Sequence, residues 1–68
     1  MAGAIMQAID FNVGEKVSMQ TNLRILRGFV EQVEADWLRV RWEDDTIGVL
    51  TFDWQISRLE HGWRGERP

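Results

Sequence analysis

The chain has 68 residues, 11 acidic against 8 basic side chains, a formal charge of −3, no cysteine and one histidine. Disulfides and thiolate metal centres are excluded, His61 alone is too few nitrogen ligands for a metal site, and the acidic balance disfavours a nucleic-acid binder, which usually carries a basic stripe. No apolar run approaches the roughly 18 residues that span a bilayer, and the first six residues lack the basic start and apolar length of a signal peptide, so the expected setting is cytoplasmic, without a membrane.

Residues 1–12 read as an N-terminal arm or short helix, with Ala4, Ile5, Met6, Ala8 and Ile9 apolar and a break at Asp10-Phe11-Asn12. The arm either packs on a neighbouring subunit, folds back over its own domain, or is a partly ordered terminus. Residues 13–19 read as a turn into a first strand in which Val17 and Met19 alternate with Lys16 and Ser18. Residues 20–26 read as a connection of seven residues, partly plugging one end of the core through Leu23, Ile25 and Leu26. Residues 27–33 form a second strand, 34–36 a tight turn, and 37–43 a third strand with strict alternation. Asp44-Asp45 reads as a two-residue hairpin turn, since Asp tolerates a left-handed backbone. Residues 46–52 form a fourth strand, 53–55 a 3₁₀ turn with Trp54 plugging the core beneath it, and 56–59 a short fifth strand. Residues 61–68 read as a polar, frayed tail, leaving 13–60 as the folded domain. Five short strands place the chain in the all-β class.

The turn lengths set the expected register. A two-residue turn at Asp44-Asp45 pairs Trp42 with Ile47, Val40 with Val49 and Leu38 with Thr51 on the core face. Arg41, Arg39 and Trp37 then face Gly48, Leu50 and Phe52 outside. A three-residue turn at 34–36 pairs Val30 with Val40 inside, Gly28 with Trp42 so that the glycine makes room for the indole, Glu31 with Arg39 as an ion pair, and Phe29 with Arg41 in cation–π contact. Phe29, Trp37, Leu50 and Phe52 thus surround Arg39 and Arg41 on the outer face of strands two to four. A patch of large apolar side chains with arginine has the composition of an interface. Trp54 with Phe52 is a secondary aromatic site, short of the converging rings a methyl-lysine cage needs. Asp36, Asp44, Asp45 and Asp53 sit where turns need them, and His61 has no nucleophile beside it, so no catalytic residue is assigned and no cofactor is implied.

From Val13 to Leu59 the chain resembles the SH3-like small barrels of Tudor-like and KOW-like type. The likeness rests on Val13-Gly14-Glu15-Lys16-Val17, Gly28-Phe29-Val30, Leu38-Arg39-Val40-Arg41-Trp42-Glu43-Asp44-Asp45-Thr46 and Ile56-Ser57-Arg58-Leu59. It implies a five-stranded SH3-like barrel that binds methylated tails, peptides, RNA or ribosomal protein, or that oligomerises. Asp45 stands where such barrels often carry glycine. The chain is similar in a weaker way to the plasmid-borne type II dihydrofolate reductases, tetrameric small barrels with a Val-Gln-Ile-Tyr motif. The nearest stretch here, Val49-Leu50-Thr51-Phe52, lacks the glutamine and tyrosine, so the activity is not carried over.

The expectation is a non-catalytic interaction module that self-associates as a homo-oligomer. The alternatives are a peptide or protein partner, a nucleic-acid- or ribonucleoprotein-binding barrel using Arg24, Arg27, Arg39, Arg41 and Arg58, and an enzyme formed at a symmetric subunit interface. A domain this short buries only about 60% of its unfolded surface, so association would relieve a marginal stability.

Overall fold

The computed structural model describes residues 6–65. Five antiparallel strands form one sheet: β1 (Lys16–Gln20), β2 (Ile25–Val33), β3 (Leu38–Trp42), β4 (Ile47–Leu50) and β5 (Leu59–His61), in the order β4-β3-β2-β1-β5. A single helical turn, α1 (Asp53–Ile56), precedes β5, and a 3₁₀ turn spans Ala8–Asp10. The class is all-β, as the sequence pattern leads one to expect. With one sheet and one apolar face, a core exists only where the sheet curls over itself. That core contains Val17, Met19, Val30, Leu38, Val40, Trp42, Leu50, Ile56 and Leu59, and Ala8 and Phe11 join it from the N-terminal segment.

The connection after β1 is much shorter than expected. Gln20 pairs with Ile25, and Thr21 closes the turn: its N–H and hydroxyl both donate to the Arg24 carbonyl at 2.8 Å. The Thr21 hydroxyl in turn accepts from Leu23 N and Arg24 N. Leu23 therefore stands at an exposed hairpin tip instead of plugging the core. A threonine that satisfies three backbone groups makes this tight turn, and the strand starts two residues early.

The next two hairpins exchange their expected loop lengths. Between β2 and β3, Val33 pairs with Leu38, and Glu34 N donates to Trp37 O, leaving Ala35-Asp36 as the loop. The resulting one-residue offset is absorbed by a bulge at Glu31, after which Val30 faces Val40, Phe29 faces Arg41 and Gly28 faces Trp42. Between β3 and β4 the loop has three residues, Glu43-Asp44-Asp45. Trp42 N donates to Thr46 O, Asp45 N donates to Trp42 O, and Asp45 has φ of 68°. This is a turn closed by one left-handed residue. No bulge follows, so β4 lies one residue out of the expected register: Arg41 faces Ile47, Val40 faces Gly48, Arg39 faces Val49 and Leu38 faces Leu50.

That offset turns every β4 side chain over. Gly48, not Gly28, makes room for the indole: a Cβ on Gly48 would lie 2.7 Å from Trp42 Nε1. Gly28 answers to backbone instead, because a Cβ there would lie 2.2 Å from Arg41 O. Ile56 reaches the core from α1, not from a strand, and β5 starts only at Leu59. Trp54 is 63% exposed on α1 and plugs nothing.

Both termini of the described region are tied to the sheet. Gly14 N donates to Val30 O, Val30 N to Glu15 O, and Gly62 N to Lys16 O. Trp63 Nε1 donates to Gly28 O at 2.9 Å, Lys16 Nζ lies over the Trp63 ring, and Arg64 N donates to the fully buried Ser18 hydroxyl.

Asp45 is a sensitive point, since a left-handed backbone costs an ordinary L-residue about 1–2 kcal/mol and a β-branched one at least as much. In urea unfolding, Asp45→Gly should be at least as stable as the parent, and Asp45→Val less stable than the glycine variant by about 1–2 kcal/mol. Equal midpoints for the two variants would show that the loop does not need this conformation.

Candidate functional site on the outer face of β2, β3 and β4

The bulge at Glu31 places an acid between two bases. Glu31 Oε2 accepts from Arg41 Nε at 2.6 Å, and Glu31 Oε1 lies 3.4 Å from the buried Arg39 Nε, an ion pair without hydrogen-bond geometry. The expected ion pair of Glu31 with Arg39 is present, but Gln32 and not Glu31 stands across from Arg39, and the tighter contact of Glu31 is to Arg41. The hydrogen bond and charge of Glu31 raise the pKa of Arg41 further above its ordinary value. Phe29 stands directly across from Arg41 in the register, but the guanidinium is engaged by the carboxylate.

Around this charged centre the apolar residues are not all the expected ones. Phe29 is 43% exposed, as an outer-face residue should be. Leu50 is a correction: it is 9% exposed and belongs to the core, because the three-residue loop turns it inward. The same rotation brings out Ile47, 50% exposed, and Val49, 52% exposed, which the sequence reading had placed inside. Trp37 lies outside β3, at the hairpin with Glu34, and is half-buried. Phe52 follows β4 at the start of α1, off the sheet face, where it stacks on Trp54 with ring centroids 6.1 Å apart and planes 6° from parallel. The face thus brings together Phe29, Arg39, Arg41, Ile47 and Val49 around Glu31, while Phe52 and Trp54 form a separate exposed aromatic pair.

A volume argument could have recovered the inverted strand. Trp42 on the core face needs a partner without a side chain, and of the β4 residues only Gly48 supplies that. Facing Gly48 inward commits Ile47 and Val49 outward.

Elsewhere, a small open cavity of about 80 Å³ lies between Trp42, Ile25 and the Arg24–Asp44 pair. It has room for only a few waters, well short of the roughly 300 Å³ of a typical ligand pocket. His61 is bonded through Nδ1 to Glu15 and stacks on Phe11 at 4.5 Å, so both partners are engaged at the β5 edge. Among the described residues, no group of His, Asp and Glu is assembled to hold a metal ion, and no helix is long and apolar enough to cross a membrane. Comparison of the chain with protein-family models, with curated proteins and with solved structures finds no match.

The loop that orients β4 is itself held by a carboxylate. Asp44 Oδ1 accepts from both the Thr46 hydroxyl, at 2.6 Å, and Thr46 N, at 3.1 Å, and these bonds lower its pKa below the ordinary 3.8. A carboxyl whose folded pKa is depressed stabilises the fold above its unfolded value, and that contribution disappears as pH falls through the folded pKa. Asp44→Ala should therefore lower the urea midpoint at neutral pH, and the gap to the parent should narrow once pH drops below 3.8. A pH-independent gap would mean that the carboxylate charge is not what holds the loop. Glu31→Gln leaves two neighbouring guanidiniums without their acid. It should cost about 1 kcal/mol at low salt, and less as added salt screens the repulsion.

Proposed function

We propose that this protein is a small non-catalytic interaction module that self-associates through the outer face of β2–β4, with its barrel resembling the SH3-like type. The observation that carries the reading is the inversion of β4. It presents Ile47 and Val49 beside Phe29 on a face where Glu31 already bridges Arg39 and Arg41. Large apolar side chains grouped on one open sheet face favour burial against a partner. Covering one such side chain fully contributes roughly 1.5–3 kcal/mol, which matters for a domain of this length. Glu31 offsets one of the two guanidinium charges of Arg39 and Arg41, which leaves a single net positive charge on the face and weakens these arginines as a polyanion site. Glu31 is likewise held by two guanidiniums, a poor setting for a general base.

The test is solution mass by light scattering across a wide range of protein concentration, at low and high salt. The expected result is a mass that reaches an integer multiple of the chain and changes little with salt. The double substitution Ile47→Lys with Val49→Lys should return the mass to a single chain while leaving the circular dichroism spectrum unchanged. A single-chain mass at every concentration for the parent protein would overturn self-association.

A further inference from the structure

The sheet has two edges, and they are built differently. β5 is short, carries the charged Glu60, and runs into residues tied back to β1 and β2. Charge and short length are how natural sheets prevent unwanted strand pairing. β4 is also short, at four residues, but it lacks the charge: from Thr46 to Phe52 there is no charged residue and no proline. Among the described residues it pairs with β3 alone.

The polarity of that open edge follows from the ladder. The Trp42–Thr46 hydrogen bond fixes the phase, and antiparallel bonding alternates. Gly48 and Leu50 accordingly direct their N–H and C=O groups to β3, while Ile47 and Val49 direct theirs outward. The free stretch is bounded at both ends. Thr46 N is bonded by Asp44 Oδ1 on one side, and Thr51 N and Phe52 N donate to Gln55 Oε1 on the other.

We infer that β4 is the seam of a two-fold homodimer, in which β4 pairs antiparallel with β4 of a second copy about an axis through Gly48. This rests on the self-association proposed above, but places the contact along the β4 edge of that face and not across it. The pattern is self-complementary: with Gly48 opposite Gly48, Ile47 of each copy faces Val49 of the other. Their outward N–H and C=O groups then satisfy one another reciprocally. A two-fold axis normal to the sheet keeps the outer face outer, so Ile47 and Val49 of both copies meet side by side in one apolar cluster. Backbone pairing at this edge is open to any extended strand, and what favours a second copy is that Ile47 and Val49 then meet the same two apolar side chains beside the seam.

The experiment is residue-resolved amide exchange on the full chain, at concentrations where light scattering shows one species. In the edge-paired dimer, the amides of Ile47, Gly48, Val49 and Leu50 are all protected, and dilution selectively releases Ile47 and Val49. Val49→Pro removes one outward donor and should abolish dimerisation, whereas Phe29→Ser should leave it intact. A stable dimer in which Ile47 and Val49 exchange freely while Gly48 and Leu50 are protected overturns the edge seam but leaves self-association standing. Dissociation by Phe29→Ser would then mark face-to-face stacking. A monomer at all concentrations overturns both. If only an added extended peptide protects Ile47 and Val49, the edge is a peptide-binding strand and the homodimer is wrong.

Discussion

The character of this molecule's surface turns on one backbone conformation. Asp45 adopts a left-handed φ and closes a three-residue loop between β3 and β4. Because side chains along a strand alternate, one added loop residue exchanges the inner and outer faces of β4 completely. Gly48 goes under the Trp42 indole, Leu50 enters the core, and Ile47 and Val49 emerge. The Asp44 carboxylate, bonded twice to Thr46, and the close approach of Gly48 to Trp42 Nε1 hold the loop and the strand in that phase from opposite ends.

The neighbouring hairpin shows how a similar displacement can be contained. There the loop is one residue shorter than expected, yet the bulge at Glu31 restores the pairing of Val30 with Val40 within two residues. The bulge has a chemical result as well. It sets Glu31 between Arg39 and Arg41, so the centre of the outer face is a bridged cluster with one net positive charge instead of a pair of free cations. On its β4 side the same face is apolar, with Ile47 and Val49 exposed.

A five-stranded sheet of this length cannot close its own core, and three irregular pieces complete it. The N-terminal segment supplies Ala8 and Phe11 and α1 supplies Ile56, while the third, the segment after β5, covers the other side of β1, with Lys16 Nζ over the Trp63 ring and the indole N–H on Gly28 O. Ser18, the buried polar residue of β1, is satisfied by Arg64 N from that same segment. The parts that looked most like loose ends in the sequence are therefore tied into the sheet as far as Arg64, by backbone groups and by polar side chains that leave no alternation to read.

The sequence by itself determined the all-β class, the clear alternation of β3, and the pairing of β2 with β3 from Gly28 to Val30, because these follow from period-two patterning over consecutive residues. The ion pair of Glu31 with Arg39 was legible as well, but not the bulge that carries Glu31 or its tighter bond to Arg41. Tertiary structure alone decided the loop lengths. Ala35-Asp36 and Glu43-Asp44-Asp45 are polar segments compatible with turns of either length, and local preference does not separate them. The choice was made by contacts distant in sequence or across the sheet, above all the fit of the Trp42 indole over Gly48, and with it was decided which residues of β4 the protein shows to its surroundings.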